Sequence, residues 1–291
     1  MKTLTIVVPI SSMAGKLNNL SSWLCEALDF DVEVRLVHDF HDGDTSREVQ
    51  VLVKQLNNKD IIFLEMKFGS PGLARNHGLK DANSKWVMFV DSDDILELEQ
   101  VFFLIERAQN NNQILVGNFR IVNLPDATEA ASGKLTRSRV DLAMNPGLWR
   151  LILPLSLARQ HSFTEHKMGE DQEYLLGLDI FSRDLYFSQN IIYTYYRNNP
   201  GQLTSNPEAV LDLSKIIPKT VTYVRKSKFR VGIFISIILV RQLATELKNT
   251  KMSRPRLLFK QIKETWDLKL IKKIQIVLAV LIVAWKLAVD A

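Results

Sequence analysis

The chain reads as an α/β protein, a mostly parallel sheet flanked by helices, followed by a helical, basic C-terminal extension. Three observations carry that reading. Apolar runs without polar alternation, such as Trp86–Val90, fit strands buried on both faces, as in a parallel sheet covered by helices. Strand-like and helix-like segments alternate through the first hundred residues, the pattern of right-handed βαβ units. The charge is divided: residues 1–212 hold 20 Lys and Arg against 28 Asp and Glu, net −8, whereas residues 213–291 hold 17 against 4, net +13.

Leu4–Ile10 reads as a first buried strand that ends at Pro9, which has no N–H to give a ladder. Leu17, Leu20, Leu24 and Leu28 then line one face of a helix. Val32–Val37 is a second strand, running into the polar loop His38–Ser46. Arg47–Leu56 is a second helix and Ile61–Glu65 a third short strand. Gly69, Pro71 and Gly72 mark a loop, and Leu73 opens a helix with Arg75 and Asn76 on its first turn. His77, lacking partners at metal spacing, reads as packing or solvated. The fourth strand, Trp86–Val90, runs straight into acid: Asp91 to Glu99 contains five carboxylates and no Lys or Arg. Like charges are crowded there, and a cation is missing from the local sequence.

Ligands of open α/β sheets sit beyond the carboxyl ends of the strands. Residues two apart on a strand point the same way, so Asp91 and Asp93 can converge on one ligand. Their hard oxygens suit Mg2+ or Mn2+, ions that take much of their shell from water and diphosphate. The competing reading is an acid-rich first helical turn favoured by the helix dipole. Arg75, at a helix start, suits phosphate recognition or is a solvated arginine. Gly169, then Glu170, Asp171 and Glu173, then Tyr174, Leu175, Leu176 and Leu178 fit any amphipathic helix with an acidic first turn.

Taken in order, these segments resemble the family 2 glycosyltransferases over about residues 1–205. The matching pieces are Pro9 at a strand end, Asp39 in a "VxD" position, Gly72–Gly78 (GLARNHG), Asp91–Asp94 (DSDD), Trp149-Arg150, Phe163–Glu165, Gly169–Tyr174 and the run from Ile191 to Thr204. The resemblance implies a GT-A, Rossmann-like catalytic domain over residues 1–205. It also implies a nucleotide-diphosphate sugar donor, with UDP the expected nucleotide, a saccharide acceptor and inversion at the anomeric carbon. By the same resemblance Pro9, Asp39, Arg75, Asp91, Ser92 and Arg197 bind the nucleotide sugar, Asp93 with Asp91 holds Mn2+ or Mg2+, and Asp171, paired with Glu170, is the catalytic base. Arg197 reaches donor phosphates or acceptor, or else packs across aromatic rings. The chain departs from the usual acidic loop "DDGSTD" with HDFHDGDTS, which leaves Asp39 and Asp42 as alternative base-binding acids, and Ser11 and Ser12 stand where relatives often carry an aromatic. Two rival functions remain open: a metal-dependent nucleotidyltransferase, and a catalytically silent, membrane-tethered sugar-nucleotide binder.

Residues 206–291 read as a separate helical region for membrane association. Arg225, Lys226, Lys228 and Arg230 precede the apolar block Val231–Val240, and Lys269, Lys272 and Lys273 precede Ile274–Trp285. Sixteen helical residues from Ile274 to Val289 would reach about 24 Å, short of the roughly 30 Å hydrocarbon core. A membrane-surface or re-entrant helix, a short span, and a helix buried in protein or a homo-oligomer are the three arrangements open to it. Pro255 divides the tail. Cations beside apolar helices suit an anionic cytoplasmic leaflet and argue against nucleic acid, where aromatics would interleave with the charges. A polyprenyl-diphosphate-linked acceptor in surface polysaccharide assembly would fit that location. One cysteine, Cys25, excludes an intrachain disulfide framework and suits the cytosol, and no secretory signal is expected at Met1–Ile10.

Overall fold

A computed structural model describes residues 1–13, 16–40, 43–124, 128–130, 136–197, 207–250 and 268–289. In chain order the elements begin with β1 (Lys2–Ile10), α1 (Leu17–Glu26), β2 (Val32–Asp39), α2 (Gly43–Leu56), β3 (Ile61–Met66), α3 (Pro71–Lys80) and β4 (Ser84–Phe89). There follow β5 (Ile95–Leu96), α4 (Leu98–Glu106), β6 (Ile114–Asn123), β7 (Thr128–Ala130), α5 (Arg139–Met144), β8 (Leu151–Pro154) and α6 (Leu155–Ala158). The last are α7 (Glu170–Gly177), β9 (Leu185–Arg197), α8 (Pro207–Lys226), α9 (Phe229–Thr250) and α10 (Leu270–Val289). They form two compact units that interleave along the chain. The first holds Met1–Arg137, Gly147–Glu165 and Arg183–Pro200, and the second Ser138–Pro146, His166–Ser182 and Gly201–Ala291.

The first unit is built on a mixed sheet in the order β3-β2-β1-β4-β8-β6-β9-β5, with β7 on β6. Strands β3, β2, β1 and β4 are parallel, as the alternation of strands and helices predicts, whereas β8 runs antiparallel to β4 and β6. Leu4, Ile6, Val8 and Ile10 of β1 join Val32, Val34 and Leu36 of β2 in the main core, each such side chain contributing about 1.5–3 kcal/mol by leaving water. Pro9 lies inside β1 and not at its end. The β1–β4 ladder closes at Val7–Phe89 and β1–β2 continues to Ile10–His38, so Pro9 has a strand on one side only and its missing N–H is tolerated.

Helix α3 starts two residues before Leu73. Ser70 is extended and its hydroxyl accepts from the Leu73 N–H at 3.3 Å, and Pro71 fills the first turn, where a missing N–H costs no intrahelical bond. The far end is held by two arginines. Arg35 donates to the carbonyls of Gly78 and Asp81 at 3.2 and 3.1 Å, and Arg159 to those of Leu79, Lys80 and Ala82 at 3.2, 3.0 and 2.6 Å, satisfying acceptors a helix end leaves open. Gly78 lets the helix lie close against the sheet, since a Cβ there would collide with Val7 and Val37. Packing thus fixes where Arg75, now in the second turn of α3 and not the first, meets the sheet edge.

In the second unit α10 packs on α9, where the Gln275 amide donates to the Phe229 carbonyl at 2.7 Å over the glycine at 232. Among the described residues no helix is long and apolar enough to cross a membrane. The sequence-level option of a short span through Ile274–Trp285 therefore has no support in the fold. Pro255 lies outside the described residues.

Candidate active site

The acid run folds into a turn at the carboxyl end of β4. The Val90 N–H still reaches Val7 at 3.0 Å, and the Asp94 N–H closes back on the Asp91 carbonyl at 3.3 Å. Asp94 is wholly buried. Its carboxylate accepts from the Tyr193 hydroxyl at 2.7 Å and from the Tyr196 N–H at 2.8 Å, while the same hydroxyl accepts the Asp91 N–H at 3.2 Å. Strand β9 therefore fastens the turn from its inner side, leaving Asp91, Ser92 and Asp93 half-buried at the surface. The electrostatics follow from this placement. Burial pushes the Asp91 carboxyl above its ordinary range, the Arg75 guanidinium opposing and the Asp93 charge adding to the rise. Burial pushes Asp94 well above that range too, with Asp93 and Asp91 adding and the Tyr196 and Tyr193 hydrogen bonds opposing.

The missing cation turns out to be supplied by the fold. The Arg75 Nη2 sits 2.9 Å from Asp91 Oδ1, and the Lys16 Nζ 3.5 Å from Asp93 Oδ2. Asn19 Nδ2 adds a bond of 2.9 Å to the Asp93 carbonyl. The local sequence supplies no counter-charge, and the fold brings it from α3 and the start of α1, far away in sequence. Arg75 is buried rather than solvated, its guanidinium 5.6 Å from the centre of the Phe163 ring. Asn76 fixes that ring by donating to the Phe163 carbonyl at 2.8 Å and accepting its N–H at 2.9 Å.

Asp39 ends β2, where its two carboxylate oxygens accept the N–H groups of Phe68 and Gly69 at 2.7 and 2.8 Å. Gly69 takes φ +76°, a left-handed conformation that suits glycine. Beside it a cavity of about 470 Å³ is lined by Phe40, Lys67, Phe68 and Gly69. Asp42 lies outside the described residues. His77 packs against Phe68, ring centres 5.2 Å apart. Arg197 is exposed at the end of β9, one residue beyond the Tyr196 N–H that binds Asp94. Trp149 stacks on Tyr193 at 4.6 Å, and Arg150 is fully buried, its guanidinium bonded to Thr136.

Glu170 and Asp171 belong to the second unit, in the first turn of α7. Gly169 before them takes φ +84°, and a Cβ there would press on Leu213 and Ile216 of α8. Glu170 is buried, Asp171 is half-buried with Oδ1 accepting the Gln172 N–H at 2.7 Å, and Glu173 pairs with Lys219 at 2.6 Å. The helix has the acidic first turn that the sequence suggests, but not an exposed polar face, since Glu170 and Glu173 are buried and Asp171 half-buried.

A divalent cation fits the β4 turn. Asp91 and Asp93 offer hard oxygens whose mutual repulsion such an ion would relieve, and among the described residues no three His, Cys, Asp or Glu side chains form a complete ligand set. Water and a ligand diphosphate would have to complete the shell, which is how Mg2+ is ordinarily held. Lys16, Asn19 and Tyr193 are site residues that sequence reasoning missed. Tyr193 lies in the Ile191–Thr204 run that carries the resemblance but takes no role from it, and Lys16 and Asn19 follow the end of β1.

Comparison with known proteins agrees with this architecture. The family model described as glycosyl transferase family 2 matches residues 7–164. Among curated proteins the chain is 27% identical over 124 residues to the poly(ribitol-phosphate) β-N-acetylglucosaminyltransferase TarP of Staphylococcus aureus, covering 42% of this chain and 38% of that one. It is 24% identical over 180 residues to the poly(ribitol-phosphate) β-glucosyltransferase of Bacillus spizizenii, covering 59% and 28%. The chain thus spans well under half the length of these relatives. Among solved structures, S. aureus TarS 1–349 in complex with UDP-GlcNAc superposes with a TM-score of 0.64 at 18% identity, over 95% of this chain and 79% of that one. The mannosyltransferase PcManGT of Pyrobaculum calidifontis, in complex with GDP-Man and Mn2+, superposes with a TM-score of 0.54 at 11% identity, over 98% and 88%. These structures share the fold, a GT-A-like mixed sheet flanked by helices with a helical C-terminal region, and the match of the family model over more than half of its length makes this chain a member of glycosyl transferase family 2.

Proposed function

We propose that the chain is a metal-dependent, inverting glycosyltransferase that moves a sugar from a nucleotide-diphosphate donor, UDP above all, to a hydroxyl of a saccharide acceptor in surface polysaccharide synthesis. The observation that carries this is the β4 turn, where two carboxylates lie beside two cations at the carboxyl edge of a parallel sheet. Two structural neighbours were solved with UDP-GlcNAc and with GDP-Man and Mn2+, which supports a nucleotide-sugar reading of that edge.

Asp91 and Asp93 would hold Mn2+ or Mg2+, which when bound would supply stabilisation of the charge on the departing diphosphate. Arg75 and Lys16 add fixed positive charge at the same place and favour the diphosphate once it carries that charge. Asp39 and Pro9 border the nucleotide, with Ser92 at the turn and Arg197 at the rim. The acceptor oxygen forms its bond to the anomeric carbon from the face opposite the leaving group. The C–O bond to the diphosphate breaks with its electron pair, and the hydroxyl proton passes to Asp171, with Glu170 beside it. No covalent intermediate is needed.

The setting that suits this chemistry is the inner face of the cell membrane, with the C-terminal helices at the lipid surface and an acceptor linked to a polyprenyl diphosphate. The residue 1–205 segment would then serve as the catalytic part, with residues 206–291 as its membrane-associating part. Self-association is compatible with this arrangement. The test is turnover: the chain with Mn2+ and a panel of nucleotide sugars should release nucleoside diphosphate, and Asp171→Asn should keep donor binding while losing most of that release when acceptor is present. Consumption of nucleoside triphosphate with sugar phosphate would instead identify a nucleotidyltransferase, and binding without release a silent partner.

A further inference from the structure

Helix α10 presents two unlike faces. Gln275, Ala279 and Val283 are buried on the side of the helix that meets α9. On the other side Leu270, Ile274, Val277, Leu281 and Trp285 are 75, 45, 57, 60 and 61% exposed. Their spacing of three or four residues puts them in one stripe, about 22 Å long at 1.5 Å per residue. An apolar stripe of that length in contact with water is a binding surface unless something covers it.

The charges choose the occupant. From Leu268 to Val289 the sequence has no Asp or Glu, and it carries Lys269, Lys272 and Lys273 beside the first turn of α10. Lys272 bonds to the Ser227 carbonyl and Gln275 to the Phe229 carbonyl, which brings the start of α9 alongside. That start adds Lys228 and Arg230, both exposed, around the half-exposed Phe229. A second copy of the chain could use the same three-and-four spacing as a helical seam. Such a seam needs acids flanking it to answer the cations, and Ile271 and Val280 beside the stripe are instead exposed and apolar. An apolar stripe whose rim is cationic among the described residues matches a bilayer of anionic lipid, whose acyl chains receive the stripe and whose phosphates receive the rim.

We infer that α10 lies in the plane of an anionic membrane surface, its Leu270–Trp285 stripe sunk at the acyl boundary and the exposed Lys228, Arg230 and Lys269 set among lipid phosphates. This deepens the inner-leaflet setting proposed above and rests on it for its biological sense, but not for its physics. It commits α10 to lying flat, which agrees with the lack of any membrane-crossing helix among the described residues.

The full chain should co-sediment with phosphatidylglycerol–phosphatidylcholine vesicles, much less with phosphatidylcholine alone, and less in high salt. Leu281→Glu should weaken vesicle binding by at least ~10-fold, because a charge is placed within the buried stripe. Lys269→Glu should weaken it only on anionic vesicles. Both variants should keep the far-ultraviolet circular dichroism of the parent and its hydrolysis of nucleotide sugar in solution. Absence of vesicle binding, or binding indifferent to Leu281→Glu, overturns the inference. So does a concentration-dependent dimer in sedimentation velocity that Leu281→Glu abolishes, which would assign the stripe to a second copy. A chain that binds vesicles yet never turns over a nucleotide sugar would refute the transferase reading and leave the α10 seat standing.

Discussion

Arg75→Met tests the electrostatic frame of the site, because it removes the guanidinium and keeps most of the side chain's volume. Arg75 Nη2 lies 2.9 Å from Asp91 Oδ1, and the arginine is buried while the Asp91 side chain is 35% accessible. Unit charges about 4 Å apart at an effective dielectric of about 20 attract by ~4 kcal/mol. Solvent screening at Asp91 cuts this to about half, so the variant should lose ~2 kcal/mol of stability. For a unit of this size that is a fall in melting temperature of about 4–8 °C. Asp91→Asn in the Arg75→Met background should recover most of the loss, since a neutral amide needs no counter-charge. Mn2+ should stabilise Arg75→Met more than the parent, because Asp91 is then left facing the ion without a competitor. Thermal denaturation of the three chains with and without Mn2+ measures all of this. A melting temperature for Arg75→Met within a degree or so of the parent, or no recovery in the double variant, would refute the claim that Arg75 and Asp91 balance each other.

Asp93→Ala should abolish the Mn2+-dependent part of UDP binding and leave the weak binding seen with chelator unchanged, which calorimetry under both conditions reads directly. Asp94→Asn should flatten the pH dependence of stability. The folded Asp94 carboxyl is held well above its ordinary range, so the folded chain binds that proton more readily than the unfolded one. Its contribution to stability is therefore present at low pH and lost as pH rises from the ordinary aspartate range through the raised value. Urea denaturation midpoints between about pH 4 and pH 8 should show a downward slope in the parent that is shallower in the variant; equal slopes would contradict the burial account.

The strands of the first half were legible because a parallel sheet buries both faces, so Leu4–Ile10, Val32–Val37 and Trp86–Val90 declare themselves without any partner in view. The start of α3 was misplaced because Ser70 and Pro71 look like loop residues until the hydroxyl is seen capping Leu73. What closes the site was illegible for a different reason. Lys16 meets Asp93 across 77 residues and Tyr193 meets Asp94 across 99, contacts with no period and no local pattern. The tail shows the same limit from the other side. Its apolar block was plain, yet only packing on α9 decides that Gln275 faces protein and Trp285 faces outward.

The position of Lys16 changes what a metal must do to enter. With Asp91 held by Arg75 and Asp93 by Lys16, each acid already has a cation, and an incoming divalent ion competes with an ammonium 3.5 Å from Asp93. Both partners of that pair are little exposed, 13 and 15%, so the competition is worth more than that of a surface pair, on the order of tenfold in metal affinity. Displaced from Asp93, Lys16 remains beside the turn, where a diphosphate would bring its own negative charge. Lys16→Met should therefore act in opposite directions on two ligands: Mn2+ alone binds about tenfold tighter, and UDP in the presence of Mn2+ binds more weakly. A lysine with a purely structural role would loosen both or neither. Calorimetric titration of Mn2+, then of UDP at saturating Mn2+, decides the matter, and weaker binding of both ligands would mean that Lys16 shapes the turn instead of standing in for the metal.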